Sequence, residues 1–343
     1  MSKKTVALLF GGRSDEHDVS IKSAREVLAA LDPTRYDNLC IGITRSGQWR
    51  LSEGPTPDWE SRPGSAAVLS PDRATGGLLI EEAGVLRTVP VDVVLPVLHG
   101  RGGEDGAIQG LLELSGIPYV GCDIQGSVVC MDKSLAYTVA AQAGIAVPTF
   151  AILNAGDQLD PATFRYPVFV KPARSGSSFG VSRVESPEGL AEAVATARRY
   201  DQRVVIEEHV QGTEVGCAVL GDGADLLVGE VDEIRVHHGL FRIHQETEPE
   251  KGSANSTVTV PADLPRAERE RIQEQAKAVY RALGCRGLSR VDLFRLADGR
   301  IVLNEVNTMP GFTSYSRYPR MMAAAGLRVS DLVDRSIALA VER

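Results

Sequence analysis

The sequence predicts an α/β protein of three lobes around one cleft, the first lobe built on an open, mostly parallel sheet. Three observations carry this expectation. Residues 5–120 alternate short apolar runs with helical stretches and Gly-rich loops, the rhythm of parallel strands joined by helices. The pattern changes near Cys122, and again near Glu214. Close to the C-terminus, Asp298-Gly299 sits between two apolar runs, a strong hairpin signal.

In the first region Thr5–Phe10 reads as a buried strand and Asp18–Leu31 as a helix stopped by Asp32-Pro33. Pro55, Pro57 and Pro63 mark an irregular excursion. Asp92–Leu98 reads as another strand and Gly106–Ser115 as a helix. In the second region a helix over Lys133–Ala143 ends at Gly144, and strands at Val168–Lys171 and Val204–Glu207 flank a helix over Pro187–Tyr200. The third region holds strands, a polar stretch from His237 to Ser256, a helix over Arg266–Leu283, the hairpin, and a last helix over Val329–Val341. The expected domains are 1–121, 122–213 and 214–343, with a cleft-covering segment at about 236–256.

Composition narrows the function classes. The 343 residues are 43% hydrophobic and 24% charged, with net charge −8, an ordinary globular balance. A pI near 5.4 argues against nucleic acid as a partner. The five cysteines, Cys40, Cys122, Cys130, Cys217 and Cys285, show no C-x-x-C spacing and read as reduced, mostly buried thiols of a cytoplasmic protein. No stretch approaches the ~20 apolar residues of a membrane span.

The hairpin carries the most chemistry. A two-residue turn at Asp298-Gly299 pairs Asp292 with Glu305 and Arg290 with Asn307, all on one face. Facing carboxylates repel and call for a cation. An all-oxygen set of Asp292, Glu305 and Asn307 suits Mg²⁺ shared with nucleotide phosphates. In this register Ile301 and Leu303 share the acidic face, which argues against a merely solvated hairpin.

Other segments point to anions. Arg174-Ser175-Gly176-Ser177-Ser178-Phe179-Gly180 follows a strand containing Lys171, and its small residues let backbone N–H groups close around phosphate. It matches neither a P-loop nor a dinucleotide fingerprint. Lys133 and Lys171 are candidate phosphate cations. Glu207 and Glu208 end a strand, where, taken alone, a solvated end is a better reading than a nucleoside contact. Gly11-Gly12-Arg13-Ser14-Asp15-Glu16-His17-Asp18 joins the first strand to the first helix, where an acid either caps the helix or holds an ammonium. His99 to Gly106 occupies the equivalent place after a later strand. Gly311 and the hydroxyls of Thr313, Ser314, Tyr315 and Ser316 follow the hairpin and suit an anionic oxygen or a carboxylate.

Together, the 171–181 stretch, the Asp292/Glu305/Asn307 set and the loop from Gly11 through Ser20 resemble D-alanine–D-alanine ligases of the ATP-grasp superfamily, over nearly the whole chain. The resemblance implies a three-lobed ATP-grasp fold with an N-terminal preATP-grasp sheet, usually a homodimer. It also implies that ATP phosphorylates the carboxylate of a first D-alanine before a second substrate attacks. Glu16 would then hold the first ammonium, with Val19, His99 and Ser177 nearby. Lys133, Phe169, Lys171, Ser175, Ser177, Ser178, Glu207, Val210, Glu214, Phe294 and Asn304 would surround ATP. Asp292, Glu305 and Asn307 would ligate two Mg²⁺ or Mn²⁺. Arg290 and the Gly311 N–H would stabilise the oxyanion, and Tyr315 and Ser316 would meet the second substrate's carboxylate.

One departure sharpens the reading. Dipeptide-forming members commonly carry a Glu-Ala-Lys-Tyr type stretch in the covering loop. Here the loop runs Phe241-Arg242-Ile243-His244-Gln245-Glu246-Thr247, without the Lys-Tyr pair. With Arg317-Tyr318-Pro319-Arg320 beyond the site, this pattern resembles VanA-type D-alanine–D-lactate ligases of glycopeptide resistance. A protonated His244 would attract the carboxylate of D-lactate and repel the ammonium of D-alanine. The alternatives are a D-alanine–D-alanine ligase that happens to carry His244 and, more distantly, a non-catalytic nucleotide sensor.

Overall fold

The computed structural model describes residues 3–158, 160–176, 178–223, 225–237 and 255–342. The apolar runs of the first region become β1 (Lys4–Gly11), β2 (Tyr36–Ile43) and β3 (Trp49–Ser52). A meander follows, β4 (Ala67–Leu69), β5 (Gly77–Glu82) and β6 (Val85–Pro90), and then β7 (Val93–Val97). The main sheet has order β3-β2-β1-β7; β1 pairs in parallel with both β2 and β7, and β3 is antiparallel. The meander forms its own antiparallel sheet. Its strands are short and turn-linked, and the helical rhythm of their neighbours masks them in sequence.

Helix α1 (His17–Ala30) buries Ile21, Ala24 and Val27 on one stripe, the spacing that docks a helix on a sheet. It ends where Leu31 turns extended before Asp32-Pro33. Helix α2 (Ala107–Ser115) starts from Gly106 in the left-handed region. The proline-marked excursion is irregular apart from one 3₁₀ turn at Trp59–Ser61.

Helices α3 (Ile124–Met131) and α4 (Lys133–Gln142) come next. An antiparallel sheet of order β10-β9-β11-β8 follows, from β8 (Phe150–Leu153), β9 (Val168–Pro172), β10 (Ser182–Val184) and β11 (Val204–Glu208). The helix expected over 187–200 is shorter. A 3₁₀ turn at Pro187–Gly189 precedes α5 (Leu190–Ala197), because Pro187 and Gly189 fit a turn better than a helix interior.

The last sheet combines β12 (Gly212–Asp222), β13 (Asp225–Val228), β14 (Asp232–Val236), β15 (Ser256–Thr259), β16 (Gly287–Leu296) and β17 (Ile301–Asn307). Its order is β15-β14-β12-β16-β17, with β13 on β12. Helices α6 (Arg266–Ala282), α7 (Arg317–Ala324) and α8 (Val329–Val341) complete the chain. Sequence reading did not anticipate α7, which opens on a Pro-containing turn. A core of Val27, Leu95, Leu288, Phe312, Val333 and Ile337 fuses the first lobe to the last. All five cysteines are free and buried.

Candidate active site

The hairpin turn differs from the expected one, yet the carboxylates meet as expected. Leu296 N–H donates to Arg300 O at 2.9 Å and Gly299 N–H to Leu296 O at 3.0 Å, which closes a three-residue loop with Gly299 at φ +83°. That loop moves the nearby register by one, pairing Arg295 with Ile301 and Leu293 with Leu303. A bulge then skips Asn304 and restores Asp292 opposite Glu305 and Arg290 opposite Asn307. Leu303 therefore pairs with Leu293 and joins the core, with Ile301 packed against that core, instead of sharing the acidic face.

The same face continues across the sheet. Asp232 on β14, Gly216 on β12, Asp292 on β16 and Glu305 on β17 form one cross-strand row. A Cβ on Gly216 would lie 2.3 Å from an Arg317 nitrogen, so glycine leaves the space the guanidinium fills. Arg317 contacts Asp232 at 2.6 and 2.8 Å, Glu214 at 3.1 Å and Asp292 at 3.2 Å. Arg290 grips both Asp292 oxygens at 2.7–3.0 Å, and Asn307 Nδ2 donates to Asp292 at 3.1 Å. Lys133 Nζ lies 3.3 Å from Glu305 and donates to Ser175 O at 2.9 Å. Much of the charge the facing acids require thus comes from the protein's own cations. Burial alone pushes Glu305 upward, but Lys133, Arg290 and Lys171 outweigh it and hold its carboxyl down at about 2.

Of the nucleotide-side candidates, Phe169 and Lys171 lie on β9 and Glu207 on β11. Lys171 pairs with Glu207, and both are buried. Glu207 therefore lies inside the protein, and Glu208, which ends β11, is half-buried. The Tyr137 hydroxyl lies 2.9 Å from both Glu207 Oε2 and Asn304 O. Lys171 Nζ also stands over the Phe169 ring, 5.8 Å from its centroid. Val210 and Phe294 are half-buried, and Glu214 faces Phe294 across β12 and β16. Burial pushes the Glu214 carboxyl upward, while Arg317 pulls it down. In the small-residue loop, Ser178 takes φ +59°, and Arg174 is tied to Asp201 at 2.6 and 2.8 Å. Ser177 and His244 lie outside the described residues, as does most of the expected covering segment.

On the substrate side, Glu16 begins α1 without a side-chain capping bond. A Cβ on Gly100 would lie 2.6 Å from its Oε2 and one on Gly176 3.2 Å away, so the carboxyl sits between these two loops. Asp105, one residue before the Gly106 N-cap of α2, accepts from Ala107 N and Gly102 N. His99 is buried, with Nδ1 2.8 Å from Met309 O and Nε2 3.2 Å from Ser23 Oγ. Burial lowers the His99 pKa, which keeps the ring neutral. Glu104 accepts from Gly100 N at 2.8 Å and Met309 N at 3.0 Å. Desolvation of its carboxyl, then the Glu16 charge, push Glu104 up to about 8. Gly311 packs against Ser316, whose Oγ lies 2.6 Å from Thr313 Oγ1. Tyr315 is half-buried in the same loop, and Val19 is exposed on α1.

Sequence reading missed Arg317 and Asp232 as site residues, and also Ser23, Glu104 and Tyr137. Their partners lie on strands or lobes distant in sequence, so no local spacing signals them. Among the described residues no cluster of three or more His, Cys, Asp or Glu is arranged to hold a metal, and no helix is long and apolar enough to cross a membrane.

Residues 5–122 match the family described as D-ala D-ala ligase N-terminus, and residues 139–338 match D-ala D-ala ligase C-terminus. A Streptomyces coelicolor protein provisionally named D-alanine–D-lactate ligase is 62% identical over 99% of each chain. The vancomycin/teicoplanin A-type resistance protein VanA of Enterococcus faecium is 60% identical over 100% of each chain. The crystal structure of the VanG D-Ala:D-Ser ligase from Enterococcus faecalis superposes with a TM-score of 0.90 at 41% identity, covering 99% of this chain and 100% of that one. The fold is accordingly the ATP-grasp fold, and the chain belongs to the D-alanine–D-alanine ligase family.

Proposed function

We propose that the chain is an ATP-dependent ligase that joins D-alanine to D-lactate through a D-alanyl phosphate, giving a depsipeptide for peptidoglycan precursors and glycopeptide resistance. The observation that carries the acceptor is the gradation of likeness. Identity is 62% to the relative named for D-lactate and 60% to VanA, against 39% to a D-alanine–D-alanine ligase of Caldicellulosiruptor bescii.

The residues support the chemistry. Lys133 and Lys171 are largely buried cations beside the small-residue loop, suited to grip phosphates. Phe169, Ser175, Ser177, Ser178, Glu207, Val210, Glu214, Phe294 and Asn304 would line the ATP site beside them. Asp292, Glu305 and Asn307 offer oxygens on one face, a donor set that fits Mg²⁺ or Mn²⁺. Bound there, the ions would neutralise phosphate charge. Glu16, between Gly100 and Gly176, suits the ammonium of the first D-alanine and would hold its carboxylate toward the phosphate. Arg290 and the Gly311 N–H would face the oxyanion, where a pre-aimed donor is worth about 3 kcal/mol. Tyr315 and Ser316 would take the second carboxylate, and His244 would select it by charge.

The test is incubation of the purified protein with Mg²⁺·ATP, D-alanine and D-lactate. D-alanyl-D-lactate by mass spectrometry, with stoichiometric phosphate, is expected. Dipeptide alone would overturn the acceptor assignment.

A further inference from the structure

We propose that Glu104, with Ser23, is a positioning residue that fixes the acceptor-side loop from the opposite lobe. The inference rests on the ligase reading above and deepens it. Residues 308–316 carry Gly311, Tyr315 and Ser316 but belong to no strand or helix. The first lobe brackets Gly311 with three side chains. Met309 N–H donates to Glu104 Oε1 at 3.0 Å, and Met309 O lies 2.8 Å from His99 Nδ1. Phe312 N–H donates to Ser23 Oγ at 3.2 Å, and Ser23 Oγ also meets His99 Nε2. Both backbone groups two residues before Gly311, and the N–H just after it, are thus held from the first lobe.

Glu104 is itself held for this task. Gly103 N–H and Glu104 N–H both return to Gly100 O, at 3.1 and 2.9 Å, and Gly100 N–H donates to Glu104 Oε2 at 2.8 Å. A Cβ on Gly103 would lie 2.5 Å from Leu98 O, so only glycine lets the turn fold this tightly and aim Glu104 at Met309. The two carboxyl oxygens have separate fixed partners, one in each lobe. An amide has a single acceptor oxygen and serves only one of them. Among the described residues Glu104 bonds to Gly100 and Met309 and to none of the groups assigned to ATP, so ATP binding serves as the internal control for its loss.

The experiment compares steady-state constants of wild type, Glu104→Leu, Glu104→Gln and Ser23→Ala, with melting temperatures. In Glu104→Leu the KM for D-lactate should rise about tenfold, the cost of an orphaned buried donor, with KM for ATP within about twofold. Glu104→Gln should recover part of that loss. A folded Glu104→Leu with an unchanged KM for D-lactate, or with both constants rising together, would overturn the proposal. Should Glu104→Leu fail to fold, Ser23→Ala carries the test, and absence of a selective rise there overturns it equally. A wild type that forms neither depsipeptide nor dipeptide would instead remove the ligase reading, and this inference with it.

Discussion

Asp292 and Glu305 face each other across β16 and β17 because the ladder skips Asn304. Two local irregularities, a three-residue turn and a one-residue bulge, cancel at the carboxylates. Two like charges can share this site because Arg290, Arg317 and Lys133 surround them. Asp292→Asn should therefore do two things. Mg²⁺-dependent phosphate release should fall to background, and stability should drop by about 3 kcal/mol because buried guanidinium groups lose their countercharge. Phosphate release and urea unfolding check both effects, and near-wild-type turnover would remove Asp292 from the site.

The Gly216 gap predicts a non-additive pair. Gly216→Ala puts a methyl where Arg317 sits, and Arg317→Met leaves the fully buried Asp232 unpaired. Each should cost about 3 kcal/mol, and the double variant little more than either, since both break one contact. Additive losses in denaturant melts would mean that Gly216 acts elsewhere.

Lys133 joins the small-residue loop to Glu305. Lys133→Met should raise the KM for ATP by about tenfold or more through loss of a phosphate cation. The fold should persist, as read by circular dichroism. An unchanged KM would place the phosphates away from Lys133.

His99 gives a pH signature. Its folded pKa lies below the ordinary value of 6.5, so the unfolded chain binds the extra proton first. Stability from this group is complete above about pH 6.5 and is lost as pH falls from there toward the folded pKa. His99→Gln should flatten that part of the stability profile. An identical acid limb in both proteins would exclude His99 as its source.

Much of this site is legible in sequence because its groups are local. Asp298-Gly299 announces the hairpin, Lys171 precedes a Ser/Gly loop, and Gly11 to Ser20 spells out a strand-to-helix junction. Arg317 and Asp232 are not legible, since their meeting depends on β12 lying between β14 and β16. Glu104 reads as one acid in a glycine-rich turn until Met309, from the other end of the chain, arrives above it. The bulge at Asn304 is equally silent: the correct pairing of Asp292 and Glu305 followed from a turn one residue too short.

The most direct test is the product ratio formed from radiolabelled D-alanine with D-lactate present, followed by chromatography across about pH 6 to about pH 9, where a histidine loses its proton. The account predicts mostly D-alanyl-D-lactate at the acid end, with D-alanyl-D-alanine rising as His244 deprotonates. Dipeptide as the sole product throughout would contradict it, and a flat ratio would contradict selection by charge.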